Sequence, residues 1–377
     1  MSGKRTISLP KRVAFTLAAV ALAWLCVETG MLVNLWLRPW VGESDHLFLY
    51  GPHPYLAYAP IPNRVGRLRH RSFNSLGLRG REVMVGKPAD TIRIICLGGS
   101  TTYSDGATTD STTYPARMER LLGERYRDAP FRIEVINAGV QSYNSLESLI
   151  YFQTRLLDLS PDIAICHHGI NDCRFMLEMP NFQSDYSHAR RTFAVPPPRW
   201  WEYSPFLAWW FARESITNPY YPARFVNLNV LIVTIPSIAA DPRKGRRGEV
   251  EPEMIATFER NTRNFIYVAR ANGVIPVLST QSNLDDTPVG GRWIRSIERL
   301  NKVTRDIAAS ESVGMIDIAQ LMPWNPVDYY DPSHLRDTPS GLGRQAQIFA
   351  QGLINMRAIE QAWERRHEKK SEARGQK

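Results

Sequence analysis

The stretch Ile92-Arg93-Ile94-Ile95-Cys96-Leu97-Gly98-Gly99-Ser100-Thr101-Thr102 constrains the fold of this chain more than any other. Five of its first six residues are apolar, with no polar alternation. That is the pattern of a strand covered on both faces, as in a parallel sheet. Two glycines then permit a sharp backbone bend. Ser100 follows it, beyond the carboxyl end of the strand, where open α/β sheets collect their ligands. Taken alone the stretch is an ordinary strand-to-helix turn, and the rest of the chain gives it meaning.

From Ile92 onward, apolar runs alternate with helix-period segments. Strands are expected at Ile92–Leu97, Ile133–Ile136, Ile163–Cys166, Val274–Leu278 and Met315–Ile318. Helices are expected near Tyr114–Arg127, Ser145–Leu157, Glu253–Ala271 (closed by Asn272-Gly273), Trp293–Ala309 and Gly343–Trp363. Five strands alternating with helices imply a doubly wound, three-layer α/β/α domain over residues 91–364. The rhythm breaks at residues 175–248, a long insertion after the third strand with Pro196-Pro197-Pro198, Trp200-Trp201, Trp209-Trp210 and the basic run Arg243-Lys244-Gly245-Arg246-Arg247. Val230–Val233 can form a short strand within it. Such an insertion makes a lid or a substrate wall. Its tryptophans suit sugar rings, lipid, or plain packing onto the body.

Charge argues against a nucleic-acid partner. The formal net charge is +9, but residues 1–12 hold +4 of it through Lys4, Arg5, Lys11 and Arg12. Residues 365–377, read as a charged disordered tail, hold another +4, which leaves +1 for the body. The amino-terminal charges precede Val13–Leu37, a 25-residue apolar stretch whose single formal charge is Glu28. It is long enough to span about 30 Å of hydrocarbon as a transmembrane helix. Basic residues before it, with Glu43 and Asp45 after it, place the amino terminus in the cytoplasm and the body on the extracytoplasmic side. Ala21-Leu22-Ala23 resembles a cleavage site, yet the apolar run continues past it, so an uncleaved signal anchor is expected. The membrane is thus a partner through residues 13–37.

Residues 38–90 read as an extended lead-in laid across the domain, with Arg64, Arg67, Arg69, Arg71, Arg79 and Arg81 around Asn74-Ser75-Leu76-Gly77. These arginines suit an anionic ligand or internal pairing. The four cysteines, Cys26, Cys96, Cys166 and Cys173, have neither metal-site nor disulfide-framework spacing. No phosphate-loop motif occurs either, so no cofactor and no metal is implied.

Four strand ends present polar or glycine residues: Ser100, Gly139, Asn171, and Asp331 with His334. Right-handed crossovers bring all of these to one edge of a parallel sheet. The chemistry they suit is acyl transfer. His334 takes the Ser100 proton, and Asp331, three residues earlier, holds the other ring nitrogen as a donor. The backbone N–H groups of Ser100 and Gly139 and the amide of Asn171 are the expected oxyanion hole. His167 and His168 end a strand and read as packing or pocket wall. Asp172 reads as a loop-fixing acceptor.

In order, Gly98-Gly99-Ser100-Thr101, Asn137-Ala138-Gly139, Gly169-Ile170-Asn171-Asp172 and Asp331-Pro332-Ser333-His334 resemble the four blocks of the SGNH (GDSL-like) hydrolases. Gly99 stands where that name has Asp. The resemblance covers about residues 90–360, and Asn74-Ser75-Leu76-Gly77-Leu78-Arg79 is similar to the lead-in of membrane-anchored bacterial members. It implies a flavodoxin-like five-stranded parallel sheet and a serine ester hydrolase acting on acyl esters of envelope glycans, lipids or small alcohols. An O-acyltransferase with the same triad and a non-catalytic glycan-binding protein on the same fold are the alternatives. Oligomeric state is not legible.

Overall fold

A computed structural model describes residues 8–37, 49–51, 53–65, 71–178, 181–188, 204, 206–207, 248–282, 290–331 and 333–375. The three proline and tryptophan clusters of the insertion, Val230–Val233 and the basic run at 243–247 lie outside the described residues, as do Lys4, Arg5, Arg67 and Arg69. The chain divides into two compact units, Met1–Phe48 with Phe193–Val233, and Leu49–Thr192 with Thr234–Lys377.

In the first unit, helix α1 spans Leu9–Leu37. Its segment Leu9–Val33, with mean hydropathy 1.8, is long and apolar enough to cross a membrane, as an anchor or as a signal sequence. Glu28 on this helix accepts hydrogen bonds from the Ser204 hydroxyl and, at 3.4 Å, from the Phe206 N–H. The Trp24 ring meets Phe206 edge-on at 5.3 Å.

The second unit is built on a five-stranded sheet: β1 (Thr91–Gly98), β2 (Arg132–Gly139), β3 (Ile163–His167), β4 (Ile275–Ser279) and β5 (Gly314–Ile316). Its order is β2-β1-β3-β4-β5 and every neighbouring pair is parallel. This is the flavodoxin-like doubly wound arrangement the apolar runs imply. The chain leaves β1 toward β2 and then crosses to β3, so the switch point lies between β1 and β3, whose carboxyl ends carry Ser100 and Asn171.

All eight residues of β1 are buried. One of them is Arg93, fully buried beside Glu134 of β2 with the ion pair at 2.5 Å, while its N–H donates to Asp162 at 2.7 Å. The strand carries a charge in the core because neighbouring strands bring the partners. On one face, α3 (Tyr114–Arg125), the short α8 (Ile318–Leu321), α9 (Arg344–Asn355) and α10 (Ala358–Gly375) bury Met118, Leu122, Ile318, Phe349, Leu353 and Ile359 against Ile92, Ile94, Cys96 and Ile165. Another cluster joins α5 (Ile170–Glu178), α6 (Pro252–Ala271) and α7 (Gly290–Ser310), and Phe182 and Tyr186 at the start of the insertion fold into it.

Three elements differ from the sequence reading. The helix expected at Ser145–Leu157 is α-helical only as α4 (Ser145–Tyr151), then widens into a π-turn at Phe152–Leu156 and tightens at Leu157–Leu159. The helix expected at Gly343–Trp363 is two, α9 and α10, parted where Arg357 takes a left-handed φ of +53°. The second of these continues to Gly375 through the segment read as a disordered tail. Arg366 within it donates to the Thr91 carbonyl at 2.5 Å, a tertiary contact that helical periodicity does not announce.

The lead-in is integral to the fold. Tyr50, Leu56, Tyr58, Phe73 and Leu78 are buried, and Tyr50–Gly51 pairs with Ala59–Pro60 as a short antiparallel ladder. Its arginines pair internally: Arg71 with Asp105, Arg79 with Asp110, and Arg81 with Glu119 and Glu134. Arg79 also donates to the carbonyls of Tyr103 and Ser104. Cys96, Cys166 and Cys173 are all buried, and burial pushes the Cys96 thiol up to about 12.

Candidate active site

Ser100 opens the short helical turn α2 (Ser100–Tyr103) directly after β1. As the first residue of a helical turn, its N–H has no intrahelical acceptor. Asp331 and His334 lie 234 positions further on in the case of the imidazole, yet His334 Nε2 is 2.7 Å from Ser100 Oγ. The other ring nitrogen, Nδ1, is 2.6 Å from Asp331 Oδ2. A carboxylate only accepts, so Nδ1 carries the ring proton and the Nε2 lone pair faces the serine hydroxyl.

The Asp331 carboxylate is held by its own loop. Oδ1 accepts the N–H groups of Ser333 at 2.7 Å and His334 at 2.8 Å. Burial pushes this carboxyl up, but the hydrogen bond and charge of His334, together with the two N–H groups, outweigh it. The net result lies below the ordinary carboxylate range. Asp331 is therefore an anion at neutral pH, able to stabilise a charged imidazole.

Asn171, the second residue of α5, is buried and points its amide at the serine turn. Its Nδ2 donates to the Tyr143 carbonyl at 2.8 Å, which fixes the amide plane and leaves the second N–H of that nitrogen available. Gly99 explains why the turn departs from Asp here. A Cβ at this position would sit 2.2 Å from Asn171 Nδ2 and 3.1 Å from the Tyr143 carbonyl. Asn171→Ala is expected to slow turnover by about 10²–10³-fold in a folded protein, the effect of losing one oxyanion donor. Gly99→Ala should displace the same amide, so steady-state kinetics of the two single variants and the double should fall together rather than multiply.

Gly139 behaves differently from the expectation. Its N–H donates to Asn137 Oδ1 at 3.0 Å, and the backbone of Thr102 and Tyr103 packs directly on it. The donor is engaged by a side chain two residues earlier. The turn that follows, Val140–Tyr143, closes with Tyr143 N–H on the Val140 carbonyl and holds Ser142 at a φ of +60°. The Ser142 N–H has no hydrogen-bond partner among the described residues.

Both His167 and His168 are buried, and burial lowers them to about 4 and about 3, which keeps them neutral. His167 Nδ1 meets Ser279 Oγ at 2.5 Å, and the ring lines a small cavity of about 10 Å³ with Gln281, Gln345 and His334. Asp172 is fully buried and accepts from Ser145 N–H at 3.1 Å, Ser145 Oγ at 2.5 Å and Tyr186 OH at 2.8 Å. It therefore fixes the loop, as the sequence suggests, and also ties it to the insertion's first segment. Burial raises its carboxyl to about 6 from an ordinary 3.8. The fold holds a proton that the unfolded chain releases. Its contribution to stability is thus fully present below about 3.8 and is lost as pH rises through about 6. The wild-type melting temperature should fall relative to Asp172→Asn between pH 5 and 7; parallel melting curves would remove this titration.

A serine, an imidazole and a carboxylate in hydrogen-bonded line at the carboxyl edge of a doubly wound sheet suit attack on an acyl carbon. The class these features define is an enzyme that hydrolyses ester bonds. A model of the GDSL-like Lipase/Acylhydrolase family matches residues 96–339, and the chain belongs to that family. It is similar to the crystal structure of a lipase/acylhydrolase from Enterococcus faecalis, at 15% identity over 70% of this chain and 95% of that one, with a TM-score of 0.43. It is also similar to a GDSL-like lipase from Bacteroides thetaiotaomicron, at 14% identity over 70% and 88% of the two chains, with a TM-score of 0.37. No curated protein matches.

Proposed function

We propose that the protein is a membrane-anchored serine esterase in which Ser100 is the nucleophile, His334 the general base and Asp331 its orienting anion. The observation that carries this reading is the unbroken line from Ser100 Oγ through the His334 ring to Asp331, with links of 2.7 and 2.6 Å. Ser100 Oγ attacks the ester carbonyl while His334 Nε2 takes its proton. The oxyanion is received by the Ser100 N–H and the free N–H of Asn171. Gly139 was the expected third donor; with its N–H on Asn137, Ser142 N–H is the one we assign. The alcohol leaves with the proton from His334, and water, activated by the same nitrogen, hydrolyses the acyl-enzyme.

The proposed substrates are acyl esters of envelope glycans, lipids or small alcohols, met on the extracytoplasmic side of a membrane that α1 spans with its amino terminus in the cytoplasm. The test has two arms. Purified protein is labelled with a fluorophosphonate and assayed on acetyl, butyryl and octanoyl esters with and without an acylatable glycan. Release of free acid supports hydrolysis, and acyl groups gathering on the glycan instead would assign transfer. In the second arm, membranes are washed with carbonate: the protein is expected in the pellet, and a soluble species beginning after Ala23 would show a cleaved signal sequence.

A further inference from the structure

The Asp331 and Ser100 bonds hold the His334 ring by two of its edges. Bonds at the edges resist rotation within the ring plane but allow the ring to tilt out of it. The face of the imidazole is met by Tyr330, whose ring lies 5.5 Å away, centre to centre, and within 13° of parallel. Sequence reading passed over this residue, although it directly precedes Asp331. Its own position is set from three sides. The Tyr330 N–H donates to the His334 carbonyl at 3.1 Å. Its hydroxyl donates to Asp105 Oδ2 at 3.4 Å. Its ring edge rests on Gly106, where a Cβ would come within 2.9 Å of Tyr330 Cε1 and closer still to the Leu335 carbonyl.

Asp105 links this ring to the nucleophile. Its N–H donates to the Ser100 carbonyl at 3.1 Å, so one residue touches both the serine turn and the tyrosine that covers the histidine. The lead-in in turn fixes Asp105. Arg71 donates to Asp105 Oδ1 at 2.9 Å and to the Asp105 carbonyl at 2.7 Å. Gln141 donates to the same Oδ1 at 2.7 Å and accepts the Tyr50 hydroxyl at 3.0 Å.

We propose that Tyr330 is a positioning residue for His334, holding the imidazole in the plane that contains Ser100 and Asp331, and that the lead-in sets it through Arg71 and Asp105. The proposal rests on Ser100 and His334 being the reacting pair. A flat face is what the role requires, so the ring matters more than its hydroxyl. Positioning acts on the reacting nitrogen and not on ground-state binding, which means kcat should carry the effect and KM should not.

The experiment uses full-length, detergent-solubilised protein with p-nitrophenyl acetate and a fluorophosphonate probe. Tyr330→Leu is expected to lower kcat and the labelling rate at Ser100 together by about tenfold, with KM within about twofold. Tyr330→Phe keeps the stack and should return both rates to within about threefold of wild type. Should the Leu variant melt early, Tyr330→Gln, a polar side chain suited to this half-exposed site, carries the same expectation. Asp105→Asn should cost less in the Tyr330→Leu background than alone, because it acts through the same ring. A Leu variant with unchanged kcat and raised KM would make Tyr330 a substrate wall and overturn the proposal. Equal loss in Leu and Phe would overturn it too, by placing the effect in the hydroxyl. A wild type that does not label at Ser100 overturns the triad reading and this proposal with it. Labelling in wild type beside an unaffected Leu variant overturns this proposal alone.

Discussion

Ser100→Ala, His334→Ala and the double variant are expected to lose ester turnover to a similar extent, by about 10⁴–10⁶-fold. The reason is that the two side chains form one device. A serine hydroxyl is a weak nucleophile until a base within hydrogen-bond reach removes its proton, and the base is useless without the hydroxyl. With Nε2 and Oγ 2.7 Å apart, removing either end removes the whole effect, so the second deletion has little left to remove. Residual rate over the uncatalysed reaction should survive from binding and from the Asn171 amide. Fluorophosphonate labelling separates the roles. Ser100→Ala should abolish the adduct, and His334→Ala should slow its formation with Ser100 still the labelled residue. An adduct that persists in folded Ser100→Ala, or unchanged turnover in folded His334→Ala, would sink the assignment.

The site was legible where its residues interrupt apolar runs. Ser100 and Asn171 each stand just past a buried strand, and topology alone carries such positions to one sheet edge. The Asp331/His334 pair lies in a loop well beyond the last strand, Gly314–Ile316, and is legible only through its Asp-x-x-His spacing. That the Gly139 N–H donates to Asn137 could not be read ahead, because the choice is made by a side-chain rotamer that no spacing reports. The lead-in was half legible. Its arginines were visible as a cluster, but their partners Asp105, Asp110 and Glu119 lie some tens of residues away, so pairing and ligand binding looked alike until the chain was folded. Helix ends failed for a related reason. Residues 343–363 keep an apolar periodicity through Met356 and Arg357, and it takes the left-handed φ of Arg357 to show that the chain turns between two helices. Arg93 makes the same point inside the sheet. It looked like one blemish in a buried strand, whereas its cross-strand partner Glu134 makes it a buried ion pair.

Asp331→Asn should slow turnover by about 10⁴-fold while leaving the fold and the labelled residue unchanged. The carboxylate does two things at once. It receives the Nδ1 proton, which forces the lone pair onto the nitrogen that faces Ser100, and it stabilises the imidazole once that ring becomes charged. An amide in its place can keep the loop bonds to the Ser333 and His334 N–H groups through its oxygen. It then presents an NH₂ group to Nδ1, which favours the tautomer with its proton on Nε2, the wrong nitrogen for a base. The loop should therefore survive and the chemistry should not. Ser333 makes the outcome sharper, because its hydroxyl lies 3.1 Å from the same Nδ1 and can accept the proton in part. Asp331→Ala leaves that hydroxyl as the sole local acceptor, so Asp331→Ala should be less damaged than Asp331→Asn if tautomer choice dominates. The Asp331→Ala/Ser333→Ala double variant should then drop to the level of Asp331→Asn. Rates for the four proteins at one pH, with melting curves to establish folding, decide the matter. Equal rates in wild type and Asp331→Asn would remove the carboxylate from the mechanism.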